Sequence, residues 1–195
     1  MSQLYFRYGA MNCGKTTRLL QEAYNYEERG KRALILKPAK DTKGEQYIVS
    51  RLGLKRQVDV LVSDSDDVTH ILEDILKRET IDCVFVDEVQ FMQPKQVRQL
   101  RWFTIQQSIP VIAYGLRADF LAKGFPGSLE MLSLADKLEE LPTICRCGKK
   151  ARYNGRQKNG KFIFEGDQVA IDGDGVTYEP LCGNCYVAFA GKALS

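Results

Sequence analysis

The spacing of glycine, lysine and threonine near the amino terminus limits what this chain can fold into more than any other feature. The pattern of glycine, four residues, glycine, lysine and threonine defines a phosphate-binding loop, here Gly9-Ala10-Met11-Asn12-Cys13-Gly14-Lys15-Thr16. An aromatic-rich run at residues 4–8 precedes the loop, and apolar residues recur at helical spacing over residues 16–29. We therefore expect a strand, the loop and a helix in succession.

Each part of this loop suits the binding of ATP. The two glycines let the backbone turn tightly, so that successive N–H groups converge on a phosphate at the amino end of the helix. Lys15 is expected to bridge the β- and γ-phosphates, and the Thr16 hydroxyl is expected to coordinate Mg²⁺. We predict that all eight loop residues contact ATP.

Apolar runs and helical segments alternate after the loop. Continuous apolar runs predict strands, and apolar residues spaced three and four apart predict helices. The predicted strands are residues 33–36, 58–62, 83–86 and 111–114, and the predicted helices are residues 68–78 and a segment from Pro94 to before Pro110. This order predicts an α/β fold of the P-loop, RecA-like type, in which a parallel sheet has helices on both faces.

An acidic pair, Asp87 and Glu88, follows the apolar run at residues 83–86. An aspartate at the carboxyl end of a buried strand can hold Mg²⁺, which is the role that we predict for Asp87. Glu88 can accept a proton from the attacking nucleophile. The residues themselves leave open whether that nucleophile is water, as in an ATPase, or a bound hydroxyl, as in a kinase.

Four of the six cysteines form two close pairs, Cys145 with Cys147 and Cys182 with Cys185. Four thiolates complete a closed tetrahedral Zn²⁺ site, which is structural rather than catalytic. Without a recognisable signal peptide, this pattern favours metal binding over disulfides. We interpret the metal as a clamp on both ends of the long segment between the pairs.

The composition changes after about residue 141, where glycine, charge and short β-like runs become frequent. We therefore expect two domains, a P-loop ATP-binding domain at residues 1–141 and a smaller zinc-ribbon domain at residues 142–195. The net charge of +3 is too small to indicate nucleic acid by itself. No apolar segment approaches the roughly 18 residues that suggest a membrane span. We expect a cytoplasmic protein with no nucleic-acid or membrane partner.

Several motifs resemble those of one family, the zinc-containing, P-loop thymidine kinases of bacteria, their viruses and animal cytosol. The segments that carry the resemblance are residues 8–16, 87–91, 114–120, 125–128 and 135–138. The likeness extends from Leu4 to Tyr186. It implies a kinase domain followed by a zinc domain with a lasso loop over the nucleoside. The implied reaction moves the γ-phosphate of ATP to the 5′-hydroxyl of thymidine, and of deoxyuridine, in deoxynucleotide salvage for DNA synthesis.

The resemblance also implies roles for individual residues. Glu88 would be the general base on the 5′-hydroxyl, and Gln90 would lie beside it at the ATP site. Apolar and aromatic side chains would surround the thymine ring, namely Met11, Phe91, Leu116, Phe120 and Phe125. The lasso loop would hold the edge of the base through Gln168, Val169, Ala170, Ile171, Asp172 and Tyr178.

Two segments depart from the family's pattern. Asp172 stands where family members commonly have a glycine, and an aspartate resists the positive φ that glycine accepts. The stretch from there to Tyr178 is also one residue longer. The family's aspartate-threonine-arginine is here Asp41-Thr42-Lys43, so that Lys43 or Arg51 would face the phosphates. Relatives are commonly tetramers, which implies a homotetramer here.

Two other functions remain open from the residues alone. The first is a nucleic-acid-stimulated ATPase, because an acidic pair of this kind after a P-loop also occurs in helicases. Those motors normally pair two such domains. The second is a zinc-ribbon binding module whose nucleotide site serves regulation only. The first alternative predicts ATP turnover with polynucleotide, and the second predicts ATP binding without phosphoryl transfer.

Overall fold

The computed structural model describes residues 2–42, 44–168 and 175–191. In chain order, the elements of these residues are β1 (Leu4–Gly9), α1 (Lys15–Glu27), β2 (Ala33–Pro38), β3 (Tyr47–Val49), β4 (Lys55–Gln57), β5 (Val60–Val62), α2 (Val68–Leu76), β6 (Cys83–Val86), a 3-10 helix (Val89–Phe91), α3 (Pro94–Gln107), β7 (Val111–Leu116), α4 (Pro126–Leu134), β8 (Lys137–Glu140), β9 (Thr143–Ile144), β10 (Lys150–Ala151), β11 (Tyr153–Lys158), β12 (Lys161–Ile163), β13 (Val176–Leu181) and α5 (Gly183–Ala190). All predicted helices and strands of the first domain are present, with small differences at their ends.

Six strands form the central sheet in the spatial order β5-β2-β6-β7-β1-β8, and every neighbouring pair is parallel. The carboxyl ends of parallel strands lie at one edge of a sheet, where α/β proteins bind their ligands. Only one strand, β7, lies between β1 and β6. The phosphate-binding loop, which follows β1, and the acidic pair, which follows β6, therefore come to neighbouring positions. The predicted α/β fold with a parallel sheet is confirmed.

Side chains that alternate along the central strands form two apolar cores, one on each face of the sheet. On one face, Ile35, Phe85 and Tyr114 pack with Leu19 and Ala23 of α1. On the opposite face, the sheet packs against α2, α3 and α4, through residues that include Leu36, Val84, Val86, Val68, Leu100 and Met131. Helices on both faces explain why the central strands are apolar throughout rather than alternating with polar residues.

The region between β2 and β5 differs from the sequence prediction. A strand is predicted at residues 58–62, but β5 begins two residues later. Val58 donates its backbone N–H to the carbonyl of Gln46, and the Asp59 carboxylate accepts a 2.7 Å hydrogen bond from the Ile35 N–H. Val58 and Asp59 therefore make other hydrogen bonds, and the pairing of β5 with β2 begins at Val60. β3 and β4 form a hairpin that periodicity does not indicate, because each strand has only three residues.

Antiparallel structure follows the last strand of the central sheet. β12, β11 and β13 form a three-stranded sheet, and β9 pairs with β10. A third apolar cluster, including Cys145, Leu181 and Tyr186, lies inside this part, with Ala122 from the preceding part packed against it. The domain boundary near residue 142 stays a prediction.

The helices are short. The longest, α3, has 14 residues, whereas a bilayer crossing takes about 20 apolar residues. Within residues 2–42, 44–168 and 175–191, no helix has both the length and the apolar character of a membrane span.

Candidate active site and metal centre

The phosphate-binding loop turns between β1 and α1 as the glycine spacing predicts. Gly14 adopts a left-handed conformation with φ of 80°, and Asn12 does so with φ of 66°. Lys15 is buried, and its Nζ donates to the carbonyl oxygen of Ala10 over 3.2 Å. The ammonium group of Lys15 thus lies inside the loop, where it would contact the phosphates of a bound nucleotide.

Thr16 and Asp87 meet at the carboxyl edge of the sheet. The Thr16 hydroxyl donates to Asp87 Oδ2 over 3.2 Å. Neighbouring oxygen ligands in an octahedral Mg²⁺ site lie about 3 Å apart, since each Mg–O bond is about 2.1 Å. The oxygen donors and their separation therefore fit Mg²⁺, in agreement with the predicted pair of metal-binding residues.

Burial controls the charge of Asp87. Only 3% of the residue is exposed, and this burial, together with the nearby Glu88 carboxylate, raises the pKa of Asp87 to about 7. The hydrogen bond from Thr16 and the charge of Lys15 act in the opposite direction. A cation bound by Thr16 and Asp87 would favour the anionic form of Asp87.

The backbone of Glu88 is strained. The residue has φ of 50° and ψ of 41°, a left-handed conformation that is uncommon outside glycine. Its N–H donates to Asp87 Oδ1 over 3.1 Å. The side chain is half-buried and accepts a hydrogen bond from Gln90 Nε2. This conformation directs two consecutive carboxylates into one site, and strain of this kind is concentrated at functional sites.

Gln90 connects this carboxylate to the neighbouring strand. Its Oε1 accepts a 3.0 Å hydrogen bond from the N–H of Leu116 at the end of β7. Gly115 makes room for it, because a Cβ there would lie 2.7 Å from the same oxygen. Gln90 is 2% exposed, so its amide is fixed by both partners. The structure therefore gives Gln90 a link to Glu88 and Leu116, and its predicted contact with ATP stays a prediction.

The residues predicted for the base pocket lie at the carboxyl edge of the sheet, in the segments that end or follow β1, β6 and β7. Phe91 and Phe125 contact each other edge to face, with ring centroids 5.9 Å apart. Leu116, Phe120 and Phe125 are buried, and Met11 is half-buried in the phosphate-binding loop. Their contacts with a base stay predictions, but the sheet edge brings these side chains to the same region of the fold.

Asn154 of β11, which sequence reasoning missed, joins two of these segments. Its Oδ1 accepts a 2.7 Å hydrogen bond from the Met11 N–H, and its Nδ2 donates to the carbonyl oxygen of Ala118 over 2.8 Å. The side chain is buried and both ends of its amide are satisfied. A lone asparagine in a short strand carries no sequence signal, since its partners are distant in the chain.

Arg156, also on β11, is a second residue that the sequence did not single out. It is 3% exposed, and its guanidinium lies over the Phe120 ring at 3.5 Å from the centroid. Its Nε donates to the Tyr178 hydroxyl over 3.1 Å, and its Nη2 donates to the carbonyl oxygens of Asp167 and Gln168. Arg156 thus connects three residues or segments predicted to contact the nucleoside.

Several predicted residues lie outside the described part of the chain. They are Lys43 and the lasso-loop residues Val169, Ala170, Ile171 and Asp172. Gln168, at the start of the loop, is described, and its carbonyl is bound as above. Tyr178 lies beside the phosphate-binding loop, since its carbonyl oxygen is 3.4 Å from Asn12 Nδ2. Arg51 is exposed in the turn between β3 and β4, and its phosphate contact stays a prediction.

The four paired cysteines come together as predicted. Their sulfur atoms all lie within 4.8 Å of one another, and Sγ of Cys147 and Cys182 are 3.5 Å apart. Ligand sulfurs in a tetrahedral zinc site lie about 3.8 Å apart, given Zn–S bonds of about 2.3 Å. A hydrogen bond from the backbone of Cys185 lowers the pKa of the Cys182 thiol to about 7, which favours the thiolate that zinc binds. The donor set fits Zn²⁺.

The metal centre is connected to the predicted base pocket. Tyr186 follows the ligand Cys185 in α5, and its hydroxyl donates to the carbonyl oxygen of Phe120 over 2.8 Å. The Tyr186 ring packs in the same apolar cluster as Cys145 and Cys182. Anything that displaces α5 therefore acts directly on the backbone of Phe120.

Comparison with known proteins identifies the family. The sequence profile of thymidine kinase matches residues 2–186. A thymidine kinase of Legionella pneumophila strain Paris is 48% identical over 178 residues, which are 89% of this chain and 84% of the relative. The thymidine kinase of Vibrio cholerae serotype O1 is 44% identical over 194 residues, 98% of this chain and 100% of the relative. That of Enterobacteria phage T4 is 45% identical over 184 residues, 93% and 94% of the two chains. The chain belongs to the thymidine kinase family.

Proposed function

We propose that the protein transfers the γ-phosphate of ATP to the 5′-hydroxyl of thymidine, and of deoxyuridine, in pyrimidine deoxynucleotide salvage for DNA synthesis. The observation that carries this proposal is that a phosphate-binding loop, two carboxylates and the aromatic pair Phe91 and Phe125 all follow strands at the carboxyl edge of the sheet. A nucleotide site alone would suit an ATPase, whereas adjacent aromatic side chains would give a second, planar substrate a place to bind.

The loop and its neighbours would bind and orient ATP. Residues 9–16 would surround the phosphates with N–H groups, and Lys15 would lie against the β- and γ-phosphates. Thr16 and Asp87 would hold Mg²⁺, which neutralises charge on the phosphate oxygens when it is bound. Phosphoryl transfer asks little covalent chemistry of the protein, so positioning and charge neutralisation supply most of the catalysis.

Glu88 would act as the general base. Its carboxylate would accept the proton of the nucleoside 5′-hydroxyl as that oxygen attacks the γ-phosphorus, and ADP would leave. Gln90 donates to one Glu88 oxygen, which limits the rotation of the carboxylate and leaves its other oxygen for the substrate. Glu88 and Gln90 together thus supply both a proton acceptor and its orientation.

The remaining predicted residues would bind the nucleoside. Phe91, Phe120 and Phe125, with Met11 and Leu116, would enclose the base, and Tyr178 and the lasso loop from Gln168 to Asp172 would cover it. The zinc held by the four cysteines would keep the ends of this lid together. A lid that closes around the nucleoside excludes water, which protects ATP from hydrolysis.

The test is transfer of labelled γ-phosphate from ATP·Mg²⁺ to a panel of nucleosides, with wild type and Glu88→Gln in parallel. We expect labelled thymidine monophosphate from the wild type and a loss of about a hundredfold or more in kcat for the variant. The variant should still bind ATP. ATP hydrolysis stimulated by polynucleotide, with no nucleoside product, would establish the ATPase alternative instead, and ATP binding without any transfer would leave a regulatory nucleotide site.

We also propose that the protein assembles as a homotetramer, as its resemblance to the family implies. Sedimentation equilibrium of the purified protein tests this directly, and a mass of one or two chains would contradict it.

A further inference from the structure

Lys37, near the end of β2, is a cation with no exposed side-chain area. A buried ammonium group is costly unless charged and polar partners surround it. Among its contacts, Nζ lies 3.1 Å from Asp41 Oδ2, and it donates to the carbonyl oxygens of Glu45 and Tyr47 over 3.2 and 3.3 Å. All three partners belong to residues 41–47, the segment that leads from β2 into β3. Lys37 therefore attaches Asp41, Glu45 and Tyr47 to the end of β2.

The sheet register places Lys37 beside the acidic pair. Leu36 pairs with Val86, and the N–H of Asp87 donates to the carbonyl oxygen of Leu36 over 3.0 Å. The side chains of Leu36 and Val86 both pack on the face covered by α2, α3 and α4. Since side chains alternate along a strand, the next residue of each strand, Lys37 and Asp87, projects toward the face of α1 and the phosphate-binding loop.

Asp41 brings the two observations together. Its carboxylate is close enough to Asp87 to contribute to the raised pKa of that residue. Lys37 binds the same Asp41 carboxylate, so the ammonium group balances one of three neighbouring acids, Asp41, Asp87 and Glu88.

We propose that Lys37 is a positioning residue for ATP·Mg²⁺, which holds the Asp41 carboxylate beside Asp87 and fixes the backbone at Glu45 and Tyr47. This inference rests on the proposed function, because it assigns Lys37 to the same phosphate site. Lys37 itself need not touch the nucleotide. Its ammonium group keeps Asp41 in place and holds the backbone of the following segment against the sheet, so that the phosphate side of the site is formed before ATP arrives.

The test compares Lys37→Met with the matched control Lys40→Met. Methionine keeps the length of the side chain and removes the charge and the donor. Lys40 is half-exposed and pairs with Asp64, so its loss removes a nearby lysine without touching the buried contacts. For each variant we would measure the KM for ATP·Mg²⁺, the KM for thymidine, kcat and the thermal unfolding temperature, together with calorimetric binding of ATP·Mg²⁺ in the absence of nucleoside.

We expect Lys37→Met to raise the KM and the calorimetric Kd for ATP·Mg²⁺ by about tenfold or more, as loss of a residue that orients metal ligands does. Its KM for thymidine should stay within about twofold of the wild-type value, and Lys40→Met should match the wild type. The double variant Lys37→Met/Asp41→Asn removes the charge left behind by the single change. It should recover unfolding temperature but not ATP affinity.

Three results would overturn the proposal. One is a folded Lys37→Met whose ATP·Mg²⁺ affinity equals that of the wild type, and another is a double variant that regains that affinity. The third is failure of both variants to fold, which would assign Lys37 to stability alone. If the wild type phosphorylates no nucleoside, the proposed function fails, but the calorimetric Kd for ATP·Mg²⁺ still decides the role of Lys37.

Discussion

The Asp87 carboxylate and the Thr16 hydroxyl form a 3.2 Å hydrogen bond across 71 positions of the chain. This bond connects the acidic end of β6 to the first turn of α1. Asp87 is buried and lies next to a second carboxylate, and both features disfavour its negative charge. The predictions below follow from this bond and from the contacts around it.

The stability of the metal-free protein should depend on the charge of Asp87. Its pKa is raised from 3.8 to about 7, so between these values the folded protein holds a proton that the unfolded chain has released. Stability is therefore lost as pH rises through this window. Asp87→Asn removes the loss, and its unfolding temperature relative to wild type should rise with pH from about 4 to 7. A difference that is constant with pH would contradict this.

Replacing Gln90 should impair catalysis rather than binding. Gln90→Leu removes the donor that orients Glu88 and leaves the N–H of Leu116 without its partner. We expect kcat to fall by about a hundredfold, the cost of a misplaced catalytic group, with little change in the KM for thymidine. Gln99→Leu is the control, because Gln99 accepts a backbone hydrogen bond from Val68, away from the acidic pair. Equal kcat values for the two variants would refute the role of Gln90.

Arg156 should determine nucleoside affinity. Arg156→Met removes the hydrogen bonds to Tyr178, Asp167 and Gln168 and the cation over Phe120. We expect the KM for thymidine to rise about ten- to hundredfold, since hydrogen bonds from a charged group are each worth about 1.5–3 kcal/mol. The KM for ATP should not change. Arg152→Met, which removes an exposed arginine next to Glu140, should behave as wild type in both.

Loss of zinc should weaken thymidine binding more than ATP binding. Cys145→Ser removes one of the four thiolates and should lower the zinc content, whereas Cys83→Ala, outside the cluster, should leave one zinc per chain. The effect should reach the base pocket through Tyr186 and its hydrogen bond to Phe120. Metal analysis and separate titrations with ATP and thymidine test this. A zinc-free variant with unchanged thymidine affinity would show that the metal does not support the pocket.

Zinc affinity should also depend on pH. The pKa of Cys182 is lowered to about 7, and zinc competes with protons for the thiolate. Hydrogen bonds with the other three cysteines raise the pKa of Cys185 to about 12, so zinc affinity should rise from about pH 7 upward, and zinc uptake by the apo protein should release protons into weakly buffered solution. Zinc uptake that releases no protons would exclude thiol ligands.

The sequence predicts five of the six strands of the central sheet because their signals are local, but it misses β8 (Lys137–Glu140), which is mostly charged and has no apolar run. The apolar runs of β2, β6 and β7 are continuous, since both faces of these strands are buried. The phosphate-binding loop and the cysteine pairs depend on spacing between near neighbours, and both come together as expected. The β3–β4 hairpin was missed, because three-residue strands are too short for periodicity to distinguish them.

The contacts that complete the site could not be predicted in the same way. Asn154 and Arg156 act on residues 11, 118, 120 and 178, which only the folded chain brings near. Lys37 stands in a strand sequence where a lysine normally suggests an exposed edge, yet its side chain is fully buried. These are single polar residues whose partners are set by tertiary structure, so neither composition nor spacing identifies them.

The amide of Asn154 has a consequence for how the two substrates bind. It holds the backbone of Met11 in the ATP loop and that of Ala118 in the loop beside the base pocket. A ligand that orders one of these loops also fixes the shared amide, so the second ligand meets a loop that is already ordered. By thermodynamic linkage, ATP should raise the affinity for nucleoside by the same factor by which nucleoside raises the affinity for ATP. We expect either substrate to bind first, with the ternary complex favoured over both binary ones.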